Sequence, residues 1–211
     1  MNWREARATA GIAVATLVAS VLVLVSGGLP AVSFGAGFIP ARFAGAMLPE
    51  GLPIVVPAVL TPLTATLIHG GAMHLLFNLV MLGFCGRLLE RAVGSRGIAI
   101  LYTAGAFAAA AAQWALEPLS ATPMIGASGA ISAVVGAYAL LYGERRAKAI
   151  GPIPADAVHI AWLAAAWIGM QLLIGAAGMG GATIAVGAHI GGFVAGLALA
   201  RPLLLWRYRG A

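Results

Sequence analysis

The chain has 211 residues, of which 62% are hydrophobic and only 9% are charged. Soluble domains carry about 45–50% apolar and about 25% charged residues, so the composition excludes a soluble fold, a disordered chain and a disulfide-rich secreted scaffold. The net charge of +6 does not indicate nucleic-acid binding, because the basic residues stand in small groups between apolar runs. These features predict a polytopic protein embedded in a lipid bilayer.

Six apolar stretches approach the roughly 20 residues that a helix needs to cross a bilayer. Gly and Ala are abundant in them, which favours close helix packing within lipid. We therefore predict an all-α polytopic membrane protein, a bundle of six transmembrane helices forming a single domain over residues 1–211. The predicted helices lie at about 9–27, 68–87, 97–116, 127–143, 157–178 and 184–205.

The positions of the basic residues predict the orientation of these helices. Eleven of the twelve Lys and Arg residues fall on one side: Arg4, Arg7, Arg87, Arg91, Arg96, Arg145, Arg146, Lys148, Arg201, Arg207 and Arg209. Only Arg42 falls on the other side. Because positively charged loops remain in the cytoplasm, this bias predicts that both termini are cytoplasmic.

The connection between the first two helices, residues 28–67, is predicted to face the outer side and is unusually long for a bundle. It is apolar rather than polar, with Phe34, Phe38 and Met47, and six prolines interrupt it. We predict an irregular or short-helical hairpin that lies against the bundle at the outer interface.

Polar residues open the second, fourth and sixth predicted helices, all of which run inward from the outer face. Ionisable groups within a membrane are costly and indicate functional sites. His74 and Asn78 are four residues apart and share a helix face. His189 and His74 each lie about 8 Å along their helices, and Ser128 stands in the first turn of its own. These residues are thus predicted to lie at similar depth in the outer third of the membrane.

Two stripes of small residues indicate that the fourth and sixth helices meet. One runs through Ser128, Ser132 and Gly136, and the other starts at His189 and continues with glycines. This contact would place Ser128 against His189, and a serine hydroxyl needs such a base to become a nucleophile. The acidic residues nearest in sequence stand in loops or on the cytoplasmic side, so a Ser-His dyad is predicted.

These motifs resemble those of the rhomboid family of intramembrane serine proteases, over about residues 38–200. Residues 126–129 (Gly-Ala-Ser-Gly) match the family's Gly-x-Ser-Gly, and residues 188–192 match its Ala-His-x-x-Gly. His69, His74 and Asn78 match its pattern of two histidines and an asparagine. Two positions depart from it: Leu60-Thr61 replaces a frequent Trp-Arg pair, and Ser132 replaces a tyrosine that often packs on the catalytic histidine.

The resemblance implies an endopeptidase that cleaves transmembrane segments of membrane proteins, with single-pass proteins as substrates. It implies Ser128 as nucleophile, His189 as general base and acid, and His74 and Asn78 in the oxyanion hole with the Ser128 N–H. His69, Gly126, Gly129 and Gly192 are expected to support the site. No cofactor is implied, and the expected location is a bacterial plasma (inner) membrane.

Alternatives remain for each feature. Taken alone, Ser128 would be interpreted as a packing serine, and His74 and Asn78 could bridge helices. A metal site is not expected, because His69 and His74 would diverge on a continuous helix and no Glu stands between them. A non-catalytic rhomboid-like protein that binds or remodels client helices is the alternative function. A transporter would require polar groups near the bilayer midplane instead.

Overall fold

The computed structural model describes residues 6–143, 147–176 and 185–210. The α-helices are α1 Arg7–Val25, α2 Leu29–Ala36, α3 Thr61–Thr64, α4 Ala72–Met81, α5 Arg87–Leu116, α6 Ser128–Tyr142, α7 Ala155–Ala176 and α8 Val186–Arg207. Short 3₁₀ turns occupy Pro40–Ala44, Ala58–Leu60 and Ala65–Leu67, and a π-helical turn at Leu82–Gly86 joins α4 to α5.

Each of the six predicted helices has a counterpart, since the helical run from α4 through α5 accounts for two of them. Three stretches are long and apolar enough to cross a membrane, Arg7–Val25, Ala72–Leu116 and Val186–Arg207, and α6 is a shorter apolar helix. The all-α polytopic fold class is therefore confirmed. The predicted helix ends at 178 and 184 lie outside the described residues, as do Arg4, Arg145 and Arg146.

The second predicted helix differs from the prediction at both ends. It begins at Ala72 rather than 68, because Ile68 (φ −114°, ψ 130°) and Gly71 (φ 160°, ψ 169°) are extended. It continues past 87 to a turn at Gly94, which has φ 75° and ψ 167°. A side chain at Gly94 would be strained by this positive φ and would overlap the guanidinium of Arg207. Glycine is therefore required where the second helix turns into the third.

Helix α6 packs closely against α8 through the small residues that predicted this contact. A Cβ atom at Gly192 would overlap the carbonyl oxygen of Gly129, and one at Gly196 would overlap that of Ala133. Likewise, a Cβ atom at Gly136 would overlap the carbonyl oxygen of a residue of α8. The two backbones thus touch directly, which fixes the first turn of α8 relative to the first turn of α6.

The connection between α1 and α4 consists of short helices and turns, as predicted. Phe38 and Met124 exchange two backbone hydrogen bonds of 3.0 and 2.7 Å, which attach this connection to the segment before α6. The Val56 N–H donates to the Gly35 carbonyl at 2.8 Å, which closes the connection on itself. Met47 is 92% exposed, so this part of the chain presents apolar surface to its surroundings.

A buried carboxylate fastens α1 to the Gly94 turn. Glu90 is 1% exposed and accepts the backbone N–H groups of Ala8 and Thr9, each at 2.9 Å. It also accepts the Thr9 hydroxyl at 2.7 Å and the hydroxyl of Ser95. Four donors offset the cost of burying this charge, so one side chain joins the start of the first helix to the turn at Gly94.

Candidate active site

The N-terminal ends of three helices bring their polar residues together. Ser128 is the first residue of α6, and His189 is the fourth residue of α8. The His189 Nε2 atom lies 2.8 Å from the Ser128 Oγ atom, which is hydrogen-bond distance. His74 is the third residue of α4. The close α6–α8 contact therefore pairs a hydroxyl with an imidazole at a helix N-terminus.

The turn before Ser128 is shaped by a glycine. Gly126 has φ +114°, and a Cβ atom there would stand 2.7 Å from Cε1 and 2.8 Å from Nε2 of His74. Glycine therefore permits both the backbone conformation and the close approach of the His74 ring. The Gly126 N–H donates to the Ala65 carbonyl at 2.9 Å, which ties the turn to the segment before α4.

His74 and Asn78 both present hydrogen-bond donors on this side of α4. The His74 Nδ1 atom accepts the Gly70 N–H at 3.3 Å, which assigns the proton of the neutral ring to Nε2, the atom close to Gly126. The Asn78 Nδ2 atom donates one hydrogen to the His74 carbonyl at 2.8 Å and retains a second. Both side chains can thus donate toward a group bound at Ser128.

A cavity of about 150 Å³ opens beside Ser128 and His189. Its remaining wall is mainly apolar and comes from α4, α6 and α7. The lining residues are Phe77, Asn78, Met81, Ser128, Ile131, Ser132, Val135, Trp167 and His189. An apolar peptide segment would fit the chemistry of this wall while its backbone meets the polar groups at the helix ends.

The family model of the rhomboid domain matches residues 58–206, which is more than half of the chain. The chain belongs to the rhomboid family. It is 29% identical over 136 residues to the rhomboid protease GlpG of Pectobacterium atrosepticum. It is 30% identical over 139 residues to the protein of the same name from Enterobacter sp. strain 638.

The two alignments cover 64% and 65% of this chain but only 45% and 46% of the relatives. The chain therefore spans about half the length of the curated relatives it matches. Ser128, His189, His74 and Asn78 all lie within the range that the rhomboid family model matches.

The rhomboid site includes residues that sequence reasoning missed. The Trp167 Nε1–H donates to the His189 carbonyl at 3.2 Å, and its ring stacks on Phe193 with centroids 4.8 Å apart. The Gln113 Oε1 atom accepts the Ala188 N–H at 3.3 Å, next to His189. Gln113 could have been recognised from the sequence, since it is a polar residue in an apolar helix. Trp167 could not, because aromatic residues are common in such helices.

His69 requires a correction. The sequence predicts it on the second helix, diverging from His74, but the structure places it in the non-helical segment before α4. Its ring centroid lies 4.9 Å from that of His74, in an edge-to-face arrangement. The reason is local: Ile68 is extended and the chain bends at Gly70 and Gly71 before α4 begins at Ala72, so helical spacing does not apply to this pair.

Two further predicted positions lie in the same region. Ser132, which replaces the tyrosine of many rhomboids, lines the cavity and donates its hydroxyl to the Ser128 carbonyl at 2.8 Å. Gly129 packs against α5, where a Cβ atom would stand 2.6 Å from that of Ala109. The Gly129 contact brings the first turn of α6 close to α5, whereas the Ser132 hydrogen bond lies within α6 itself.

Proposed function

We propose that this rhomboid chain is an intramembrane serine endopeptidase that cleaves transmembrane segments of membrane proteins. The observation that carries the proposal is the 2.8 Å distance between Ser128 Oγ and His189 Nε2, at a helix end beside an apolar cavity. The names of the similar proteins, which are rhomboid proteases, support the same activity.

In the proposed reaction, Ser128 and His189 act as a dyad. The Ser128 Oγ atom attacks the scissile carbonyl carbon while His189 Nε2 takes its proton. The resulting imidazolium then gives this proton to the leaving amine as the C–N bond breaks and the acyl-enzyme forms. Water, deprotonated by His189, attacks the ester, and the returning proton regenerates the Ser128 hydroxyl as the acid product leaves.

The oxyanion of the tetrahedral intermediate would be stabilised by three donors. These are the His74 Nε2–H, the second Nδ2–H of Asn78 and the backbone N–H of Ser128. The first N–H groups of a helix have no intrahelical acceptor and lie at the positive end of its dipole. Preorganised donors of this kind are a major source of rate enhancement.

The remaining assignments are proposals on the same basis. His69, Gly126, Gly129 and Gly192 support the site through the contacts described above. The proposed substrates are single-pass membrane proteins, and the proposed location is a bacterial inner membrane with both termini in the cytoplasm. The basic residues on one side and the apolar helices support this location.

The test is the variant Ser128→Ala. It should remain folded yet lose both cleavage of a transmembrane peptide and labelling by a fluorophosphonate probe, because the variant lacks the hydroxyl that lies 2.8 Å from His189 Nε2. Ser132→Ala is the matched control, since this second serine of the cavity should not be needed for labelling. Labelling that persists in Ser128→Ala would contradict the assignment, and a wild-type protein without Ser128-dependent hydrolysis would favour the non-catalytic alternative.

A further inference from the structure

A chain of hydrogen bonds runs from α1 to the residue before Ser128. Ser20 and His69 are both fully buried, and the Ser20 Oγ atom lies 2.8 Å from the His69 Nδ1 atom. On the other side of the ring, the Nε2 atom lies 3.3 Å from the Ala127 N–H, which donates to it. His69 therefore connects two segments that are more than 100 residues apart.

The direction of each hydrogen bond in this chain is determined. A backbone N–H can only donate, so the Nε2 atom of His69 must be an unprotonated acceptor. The neutral ring then carries its proton on Nδ1 and donates it to Ser20. The Ser20 hydroxyl is free to accept because its own proton goes to the Leu67 carbonyl at 2.8 Å. Reversing any one bond would leave two donors or two acceptors facing each other.

His69 also contacts His74, the residue of α4 that is proposed to bind the oxyanion. Its ring packs edge to face on His74, which presents a donor at the turn before Ser128. The neighbouring Gly126 N–H is bound by the Ala65 carbonyl. Both amides that precede Ser128 are thus held by the segment of residues 65–69.

The geometry points to Ser20 and His69 as a positioning relay: the α1 hydroxyl selects the imidazole tautomer that accepts the Ala127 N–H and so fixes the turn that carries Ser128. This inference rests on the proposed function of Ser128. The peptide planes before Ser128 determine where its N–H and its Oγ atom point. An error of about 1 Å in such groups is enough to slow an enzyme strongly.

Two substitutions at His69 distinguish the loss of the hydrogen-bond acceptor for the Ala127 N–H from the loss of the imidazole ring. In His69→Gln, the Oε1 atom reaches about the position of Nε2 and can accept the Ala127 N–H, so kcat should stay within about threefold of wild type. In His69→Asn, the shorter side chain leaves this N–H buried and unpaired. The expected loss in kcat is about 10- to 100-fold, with KM unchanged.

Substitution of Ser20 tests the tautomer. Ser20→Ala should lower kcat by about 3- to 10-fold, whereas Ser26→Ala, at the exposed end of α1, should have no effect. In the His69→Gln background there is no tautomer to select, so Ser20→Ala should cause no further loss. A Ser20 that served only in packing would cause the same loss in both backgrounds.

The tautomer can also be determined without an activity measurement, by NMR of the protein with ¹⁵N-labelled histidine, using His69→Gln to assign the resonance. We expect His69 to carry its proton on Nδ1 in the wild-type protein. A proton on Nε2, a wild-type kcat in folded His69→Asn, or equal losses for Ser20→Ala in both backgrounds would overturn the relay. Because the NMR measurement does not depend on turnover, it tests the relay even if Ser128 proves not to be a nucleophile.

Discussion

At the scale of single residues, the hydrogen bonds of the site determine which atom of each side chain is available for chemistry. The Gly70 N–H occupies Nδ1 of His74 and leaves Nε2–H as the donor, while the His74 carbonyl takes only one of the two hydrogens of Asn78. The Oδ1 atom of Asn78 is buried and, among the described residues, has no hydrogen-bond partner. Among the described residues, the amide is thus held by its nitrogen alone, which leaves one N–H of Asn78 to donate elsewhere.

The role of Asn78 leads to a kinetic prediction. Asn78→Ala should lower kcat by about 10- to 1000-fold with little change in KM, because a donor to the oxyanion acts in the transition state. Asn78→Asp has nearly the same shape but presents no donor when ionised, so it should show a similar loss. A change in KM alone would mean that Asn78 serves in binding or packing.

Glu50 and Glu117, which the charge distribution predicts to lie on the outer side, provide a second prediction at this scale. Glu117 accepts a hydrogen bond from Gln113, whose other end binds the first turn of α8. Glu117→Gln retains an acceptor for Gln113, so turnover should stay within about threefold of wild type, and Glu50→Gln should behave in the same way. Loss of catalysis in either folded variant would indicate a triad rather than a dyad.

At the scale of helices, the α6–α8 contact determines both stability and the Ser128–His189 distance. Gly196→Ala places a methyl group against the Ala133 carbonyl, and such overpacking should destabilise the protein by about 1–3 kcal/mol. Gly169→Ala in α7 is the matched control, since among the described residues no atom of another element lies within 4 Å of the place that its methyl group would take. Unfolding in a denaturing detergent should show a lower midpoint for Gly196→Ala only.

An unchanged midpoint for Gly196→Ala would contradict the direct backbone contact. A lower midpoint in Gly169→Ala would instead indicate that any loss of helical glycine is harmful. Helix propensity alone favours Ala over Gly by about 0.5–1 kcal/mol, so the control should be neutral or slightly more stable.

The sequence predicts some elements of the structure better than others. The pairing of α6 with α8 could be predicted, because small residues at helical spacing leave few other ways to pack. The start of α4 could not, because Gly70 and Gly71 are compatible with either a helix or an extended chain. The relay through Ser20 could not be predicted either, since a lone serine in an apolar helix usually forms a hydrogen bond with its own helix backbone.

At the scale of the whole molecule, the charge distribution predicts the orientation of the chain in the membrane. Met47 and Arg209 are both exposed and should lie on opposite sides. In a Cys85→Ala background, Met47→Cys should react with a membrane-impermeant maleimide in intact cells whose outer surface is accessible to it. Arg209→Cys should react only after lysis, and the reverse pattern would contradict the predicted orientation.

The bonds of Glu90 have a consequence for the order of assembly during synthesis. The Thr9 N–H at the start of α1 donates to a carboxylate that is synthesised 81 residues later in the chain. At about 5–20 residues per second, that delay is roughly 4–16 s. Helix α1 is therefore synthesised before the carboxylate that binds its Ala8 and Thr9 amides, and its final docking requires the later segment that carries Glu90 and Gly94.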